Sequence, residues 1–512
     1  MDNLLAMANL TRRQLYRAAL APAILKHAGA LQPPPNLLFL ISDDHAGYAM
    51  GCAGDRHAVT PNLDRLAAEG VRFSHAYCNS PVCTPSRQSL LTGLMPCAAG
   101  VTRLPTPLAT DKLTLSAHLK KAGYSTGVFG KMHLHRKAES GVFGFDVMMT
   151  EDELEREWRR DVPGSPVPEA IRTQTLPWRP LKDHAREWLN AACLPYPRRD
   201  AEMLSTYAVH RAGQFLEAHA GRPFALWLSL VEPHSPFDFP IEDRGRFDPK
   251  SFQPPKPGPE DAWQIPLCFA DLTEDEKRGI AAAYYTSVHF LDRNIGRMLA
   301  RLAELGLEEN TLVVYVGDNG YCLGEHGRIE KHCGFEPAIH VPLLMRMKGR
   351  IGPGVRGEFA EMLDIGPTLL DMLNVAPIPG QQGISLRPCL EGRPHPEART
   401  HIVSEYPENE EVYVRTRKWK LIHVSGKRER RDGLVAAQAK PGRRVLLFDL
   451  EADPGEQRNV AGRHPDVVRQ LQQLALQRFR SVHPDAGAEP RGLALEEALE
   501  YYLPPRDEPG RA

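Results

Sequence analysis

The sequence has few cysteines, and their spacing argues against two common uses of the residue. The 512 residues contain nine cysteines, none of them in a C-x-x-C pair. A zinc ribbon and a dense disulfide framework are therefore not indicated, and cysteine usage leaves the redox compartment open. The cysteines stand at positions 52, 78, 83, 97, 193, 268, 322, 333 and 389.

Net charge and long apolar runs are also lacking. The 63 Lys and Arg residues balance 64 Asp and Glu residues, so the formal net charge is −1. A chain without a general positive field has no broad attraction for nucleic acid or for an anionic membrane. No apolar run approaches the roughly 18 residues that a membrane helix requires. We therefore expect no nucleic-acid partner and no transmembrane segment, and selectivity for an anion must be local.

The amino-terminal residues carry the pattern of an export signal. The pair Arg12-Arg13 precedes the mildly apolar stretch Ala18–Leu25, and the small residues Ala28-Gly29-Ala30 follow. This order is typical of a twin-arginine signal. Because Lys26-His27 interrupts it, the alternative is an amphipathic amino-terminal helix of a cytoplasmic protein. We predict export to the periplasm or beyond.

Four apolar runs of strand length end in polar side chains. Helical patterns lie between them, so we predict an α/β fold with a large, mostly parallel sheet between two helical layers. In such sheets ligands bind beyond the carboxyl ends of the strands. The runs and their polar ends are Asn36–Ser42 with Asp43 and Asp44, Ser125–Phe129 with Lys131 and His133, Phe224–Leu230 with His234, and Thr311–Val316 with Asp318 and Asn319.

The remaining patterns complete the predicted architecture. From about Arg387 the chain favours a smaller antiparallel sheet followed by a helix. Two charged or proline-rich stretches, 146–200 and 247–272, are predicted as long surface loops. The predicted helices are Asn62–Glu69, Leu115–Ala122, Tyr207–Ala218, Glu276–Leu305 and His464–Phe479, and the late strands are Val412–Arg415, Trp419–His423 and Val445–Leu450.

Asp43, Asp44, Asp318 and Asn319 form a candidate metal site. They offer three carboxylates and one amide oxygen, a donor set that suits calcium or magnesium, whereas zinc favours histidine and cysteine. Either acidic pair alone also fits a helix cap or a solvated turn. Together at one sheet edge they predict a cation site.

Cys83 lies in the run Cys83-Thr84-Pro85-Ser86-Arg87. Pro85 suits the first position of a helix that Gly93 can end, so the thiol is expected beside the positive end of the helix dipole. Such surroundings lower a thiol pKa and favour reactivity. A half-buried cysteine beside a turn is the alternative interpretation.

The run at Cys83 resembles the sulfatase signature C-x-P-S-R, in which the cysteine is oxidised to formylglycine. Gly123–Leu134 resembles the second sulfatase signature, and Gly317–Gly320 with Lys331 resembles the family's later block. Leu447–Leu450 is similar to its closing segment. The resemblance extends from about Asn36 to Val460 and implies a formylglycine-dependent type I sulfatase of the alkaline-phosphatase-like superfamily.

The resemblance also implies a role for each matching residue. Asp43, Asp44, Asp318 and Asn319 would bind one calcium ion together with an oxygen of modified Cys83. Arg87 and Lys131 would hold the formylglycine hydrate, and His133 would be the base that releases sulfate. His234 and Lys331 would contact the sulfate and the leaving oxygen, with His234 as proton donor. A formylglycine-generating or anaerobic sulfatase-maturating enzyme is the implied partner.

The expected activity is hydrolysis of a sulfate monoester, most readily that of a sulfated carbohydrate. A sulfate ester needs a cation for its oxygens, a strong nucleophile and an acid for the leaving alkoxide, and these residues supply each. The alternatives are a phosphodiesterase or phosphonate monoester hydrolase on the same scaffold, and a non-catalytic calcium-dependent binder of sulfated glycans. The predicted segments are a signal at 1–30, a sulfatase catalytic domain at 31–386 and a C-terminal subdomain at 387–512.

Overall fold

A mostly parallel sheet forms the centre of the fold. The computed structural model describes residues 33–134, 141–167, 169, 179–180, 188–258, 260–430, 432–436, 438–439 and 442–507, and the predicted signal at 1–30 lies outside them. The strands of all sheets in the described residues are β1 (Asn36–Ser42), β2 (Val71–Tyr77), β3 (Ser125–Gly130), β4 (Val147–Thr150), β5 (Arg179–Pro180), β6 (Trp188–Leu189), β7 (Phe224–Ser229), β8 (Thr311–Gly317), β9 (Leu343–Arg346), β10 (Gly354–Glu361), β11 (His401–Tyr406), β12 (Glu411–Thr416), β13 (Trp419–Val424) and β14 (Arg444–Asp449).

Within the described residues the central sheet has eight strands in the order β10-β2-β9-β8-β1-β7-β3-β4. The neighbours of β1 and β3 are parallel to them, whereas β9 runs antiparallel to β2 and β8. Every residue of β1 is buried. Leu37 and Phe39 pack into one core, and Leu38 and Leu40 pack into the other. Both faces are therefore covered, which is why the strand is a continuous apolar run.

Helices cover the two faces of this sheet. Leu291, Ile295, Met298 and Leu302 are fully buried and form an apolar stripe on the long helix Glu274–Glu304, whose prediction from the sequence is Glu276–Leu305. The face of Leu38 and Leu40 is covered by the helices Pro61–Glu69, Glu151–Asp161, Leu204–His219 and Glu274–Glu304. The face of Leu37 and Phe39 is covered by Cys83–Thr92, Leu115–Lys121 and Met362–Met372. Further helices are Pro96–Ala99, Glu336–Ile339, Arg387–Leu390, Pro465–Val482 and Leu495–Tyr501.

The smaller antiparallel sheet has the order β11-β12-β13-β14. The helix Pro465–Val482 packs on it, with Leu471 and Phe479 in the same apolar cluster as Val414 and Leu421. The predicted fold class is thus confirmed. The domain boundary between 386 and 387 stays a prediction.

Several elements are absent from the sequence-based prediction. Near the start of strand β2, buried residues alternate with partly buried ones. The strand therefore lacks the continuous apolar run on which the strand prediction depends. The helix Glu151–Asp161 lies inside the stretch predicted as a surface loop. Its sequence gives a weak helical signal, because Leu154 and Trp158 are its buried residues and the others are charged. Among the described residues, no helix has the length and apolar content needed to cross a membrane.

Candidate active site

The carboxyl ends of β3, β7, β1 and β8 meet at one edge of the sheet. These strands are neighbours in this order, and backbone pairing continues one residue beyond them. Asp318 N donates to Ser42 O over 3.1 Å, and Lys131 N donates to Ser229 O over 2.9 Å. The polar residues that follow the strands therefore start from a fixed frame.

Cys83 begins the helix Cys83–Thr92, whose residues are all buried. Val82 is the N-cap residue, and Gly93 ends the helix in the left-handed conformation with φ of 73°. Pro85 is thus the third helical residue, not the first as predicted. The proline fits there because the first amide to donate within the helix belongs to the next residue, Ser86.

Asp43, Asp44, Asp318 and Asn319 come together around Cys83. The Sγ atom of Cys83 lies 3.3 Å from Asp43 Oδ1 and 4.0 Å from Asp44 Oδ1. Asn319 Nδ2 donates to Asp44 Oδ1 over 2.7 Å, and Asp44 N donates to Asp318 Oδ1 over 3.1 Å. The ends of β1 and β8 and the start of the helix thus form one buried polar cluster.

Each of the three carboxylates has a cationic partner. Since the pairs are buried, an uncompensated charge among them would be costly. The three negative charges of the carboxylates and the three positive charges of their partners cancel. The pairs are Arg87 Nε with Asp318 Oδ2 at 2.7 Å, Lys331 Nζ with Asp44 Oδ1 at 2.7 Å, and Lys131 Nζ with Asp43 Oδ2.

Asp43 has strongly positive surroundings. Burial raises the pKa of its carboxyl, but Lys131, His234 and Arg87 together outweigh burial and hold the pKa well below its usual value. For Lys131, burial lowers the pKa, and Asp43 acts against burial so that the pKa is raised. Both groups are therefore charged at neutral pH.

The thiol of Cys83 differs from the sequence-based expectation. Burial first, and then the charge of Asp43, raise its pKa well above the usual value, against the opposite effect of Lys331 and Lys131. Only 1% of the residue is exposed. The expectation of a lowered pKa is wrong because the fold covers this helix start, and desolvation disfavours the thiolate.

His133 meets the same helix at Thr84, the residue after Cys83. Its Nδ1 lies 3.0 Å from Thr84 Oγ1. The backbone of His133, at φ of 54°, is held from two sides: its N–H donates to Glu151 Oε1 over 2.7 Å, and its carbonyl accepts from Gln88 Nε2 over 2.9 Å. Burial, and then Lys131 and other cations, hold the pKa of the ring well below its usual value, so the imidazole is neutral.

His234 faces Asp44 from the loop after β7. Its Nε2 lies 3.7 Å from Asp44 Oδ2, and its Nδ1 donates to Ser235 O over 2.6 Å. The side chain of His234 is 21% exposed and that of Lys131 is 11% exposed. Solvent therefore reaches the cluster from the side of these two residues.

The donor set around Asp44 fits a divalent cation. Ligand atoms of Asp43, Asp44, Cys83 and His234 all lie within 4.8 Å of one another. Asn319 Oδ1 is buried without a hydrogen-bond partner among the described residues, and a cation would satisfy this acceptor. Together with Asn319 Oδ1, these groups offer three oxygen donors, one sulfur and one nitrogen, a set that could hold a divalent cation.

Two residues that hold the site in place have no role in the sequence-based prediction. Ser229, the last residue of β7, accepts a hydrogen bond from Arg87 Nη1 over 2.6 Å and donates to Lys131 O over 2.5 Å. Tyr284 donates to Asp44 O over 2.8 Å and supports the turn in which Asp44 has φ of 60°. A serine at a strand end and a tyrosine in an apolar stripe give no functional signal in the sequence.

The central sheet, with the charged cluster at its carboxyl edge, has an alkaline-phosphatase-like fold. The fold agrees with that of a solved phosphonate monoester hydrolase from Silicibacter pomeroyi. The two share a TM-score of 0.72 at 24% identity, over 88% of this chain and 96% of that chain.

Sequence comparison identifies the family. The family model for sulfatases matches residues 35–375, and the model for the C-terminal part of N-sulphoglucosamine sulphohydrolase matches 324–481. An arylsulfatase of Clostridium perfringens is 28% identical over 462 residues, covering 83% of this chain and 90% of the relative. An N-acetylglucosamine-6-O-sulfatase of Bacteroides thetaiotaomicron is 27% identical over 494 residues, covering 86% and 85%. The chain belongs to the sulfatase family and is a sulfuric ester hydrolase.

Proposed function

We propose that the chain hydrolyses the sulfate monoester of a carbohydrate, with Cys83 converted to formylglycine and one calcium ion as cofactor. The proposal is carried by the position of Cys83 in a sulfatase-family chain: its Sγ lies 3.3 Å from Asp43 Oδ1 and 3.0 Å from Lys331 Nζ. A buried thiol with a raised pKa is a weak nucleophile. Conversion to an aldehyde hydrate would supply hydroxyl groups at this point.

The neighbouring side chains support the remaining tasks. Arg87 and Lys131 would hold the group at position 83 and offset the negative charge that develops in the transition state. Lys331 and His234 would contact the sulfuryl and leaving oxygens, and His234 would donate a proton to the departing alcohol. His133 is neutral, so it can accept the proton whose removal precedes sulfate release.

Asp43, Asp44, Asp318 and Asn319 would hold calcium, together with the oxygen that replaces the sulfur at position 83. When bound, the ion supplies positive charge for the sulfuryl oxygens. We favour calcium over magnesium because several protein oxygens converge here, and calcium accepts more such ligands.

Conversion of Cys83 requires a partner enzyme that supplies the oxidant, a formylglycine-generating or an anaerobic sulfatase-maturating enzyme. Because Cys83 is only 1% exposed, that partner must act before the residue is enclosed. Export of the chain, as its Arg12-Arg13 pattern suggests, would place the enzyme where extracellular sulfated glycans are found. Fractionation of cells, with amino-terminal sequencing of the product, tests this location.

Two comparisons bear on the substrate. The N-acetylglucosamine-6-O-sulfatase among the relatives supports a sulfated sugar. The likeness to a phosphonate monoester hydrolase favours phosphonate esters as the second candidate substrate, since a phosphonate monoester is also a tetrahedral monoanion.

The test is an assay of the protein co-produced with the maturating enzyme. Mass spectrometry of the peptide bearing residue 83 measures conversion, and Cys83→Ala is the inactive control. Monosulfated sugars of defined position are compared with p-nitrophenyl sulfate and with a p-nitrophenyl phosphonate ester. We expect a sulfated sugar to give the highest kcat/KM. Preference for the phosphonate would reassign the substrate, and glycan binding without hydrolysis by converted protein would indicate the non-catalytic binder.

A further inference from the structure

The hydroxyl of Thr84 lies between two groups that compete for its one proton. Thr84 Oγ1 donates to the carbonyl oxygen of Leu104 over 2.8 Å and lies 3.0 Å from Nδ1 of His133. A carbonyl oxygen can only accept, so the contact with Leu104 is a hydrogen bond only if the hydroxyl proton points at Leu104. The contact with His133 is then a hydrogen bond only if Nδ1 carries a hydrogen and donates it to Thr84.

We propose that Thr84 is a positioning residue that fixes the tautomer of His133, and that Asp507 supports it by clamping the loop of Leu104. A neutral imidazole with its hydrogen on Nδ1 has its lone pair on Nε2. Nε2 is then the atom that can accept a proton. The inference rests on the proposed function, in which His133 is the base that acts before sulfate release.

Other contacts hold the backbone of His133, whereas Thr84 contacts a ring nitrogen. Glu151 and Gln88 bind the backbone of His133, so they do not distinguish its ring nitrogens. The lowered pKa of the ring agrees with a neutral imidazole, for which the choice of tautomer exists.

Asp507 holds the loop that supplies the carbonyl of Leu104. Its carboxylate accepts from Thr102 N over 3.0 Å, from Thr102 Oγ1 over 2.5 Å, from Arg103 N over 3.1 Å and from Arg103 Nε over 3.3 Å. Only 7% of the Asp507 side chain is exposed. The side chain of Leu104 is largely in solvent, with the residue 47% exposed, so apolar packing does not hold this position. The polar contacts of residues 102 and 103 do.

The test compares Thr84→Val, which keeps the shape but removes the hydroxyl, with Thr84→Ser, which keeps the hydroxyl. Because residue 84 lies beside the modified cysteine, rates are expressed per converted enzyme, with conversion measured by mass spectrometry. We expect kcat of Thr84→Val to fall about 10- to 100-fold, by analogy with the loss of a partner that orients a metal-bound histidine. Thr84→Ser should stay within about 3-fold of wild type.

The kinetic pattern separates positioning from general damage. If only sulfate release slows, kcat and KM fall together, kcat/KM is unchanged, and alcohol appears in a burst before the slow steady state. Asp507→Ala should show the same pattern more weakly, and Asp507→Glu should restore part of kcat. An unchanged kcat in Thr84→Val, or an equal loss of kcat and kcat/KM without a burst, would overturn the proposal.

A second measurement does not depend on activity. Nitrogen-15 NMR of the histidine rings, with the signal assigned from His133→Gln, reports which nitrogen carries the hydrogen. We expect Nδ1–H in wild type and Thr84→Ser, and a shift toward Nε2–H in Thr84→Val. An Nε2–H tautomer in the wild type would refute the inference. Nδ1–H in a converted but inactive wild type would refute the proposed function and leave the tautomer assignment standing.

Discussion

Replacement of Arg87 by methionine tests whether the buried charges hold one another in the folded protein. Arg87 is 1% exposed, and its guanidinium contacts Asp318 at 2.7 Å and Asp43 at 3.4 Å. Methionine fills the space of the aliphatic stem but removes the cationic partner of Asp318 and leaves Asp43 paired with Lys131. Breaking a buried ion pair from one side costs about 3–5 kcal/mol. We expect the free energy of unfolding to fall by this amount, with loss of sulfatase activity.

The assay is urea unfolding followed by fluorescence in the presence of a chelator. Arg399→Met is the matched control, because Arg399 is 10% exposed and pairs with buried Asp364 at 2.5 Å outside the site. It should lose similar stability but keep the activity of the folded fraction. Adding Asp318→Asn to Arg87→Met should recover part of the loss, since it removes an orphaned charge. A loss below about 1 kcal/mol for Arg87→Met, as in exposed ion pairs, would refute the reasoning.

Three further predictions concern single positions. Cys83→Ser should fold normally but not turn over repeatedly, because a serine lacks the second hydroxyl of an aldehyde hydrate; several products per enzyme would contradict this. Burial raises the pKa of Glu405 to about 7, so its stabilising proton, present below about pH 4.5, is lost as pH rises through about 7. Glu405→Gln should therefore flatten the decline in stability between about pH 4.5 and 7, by up to about 3 kcal/mol, and an unchanged pH profile of unfolding would count against it. A Cβ on Gly130, at φ of 103°, would lie 1.8 Å from Ser229 O, so Gly130→Ala should cost more than about 3 kcal/mol. Gly54→Ala, at φ of 94° with open space around it, should cost only about 1–2 kcal/mol, and equal melting points for the two variants would refute the steric argument.

Sequence patterns predict the fold class because its central strands are buried on both faces. Strands β1, β7 and β8 are continuous apolar runs, and the polar residues at their ends stand out against them. Patterns of this kind do not show which surface covers a helix start. The environment of Cys83 was therefore predicted wrongly, since desolvation by distant parts of the chain sets its pKa. Ser229 was missed for a similar reason: its role depends on Arg87, which reaches it only in the folded protein.

The pairing of charges also predicts how the protein responds to removal of the proposed divalent ion. Asp43, Asp44 and Asp318 each have a cationic partner, so removal of a divalent ion leaves no uncompensated charge in the cluster. A zinc finger, by contrast, unfolds without its metal. Chelation should abolish sulfatase activity, while the protein stays folded and loses at most about 4 kcal/mol, the linkage expected at about 1,000 times the dissociation constant. Calcium titration with thermal unfolding and activity as parallel readouts checks this. The Arg399→Met variant, in which Asp43, Asp44 and Asp318 keep their cationic partners, should show the same calcium response as the wild type. Cooperative unfolding caused by chelation alone would show that the ion, and not the pairing of side chains, balances the buried carboxylates.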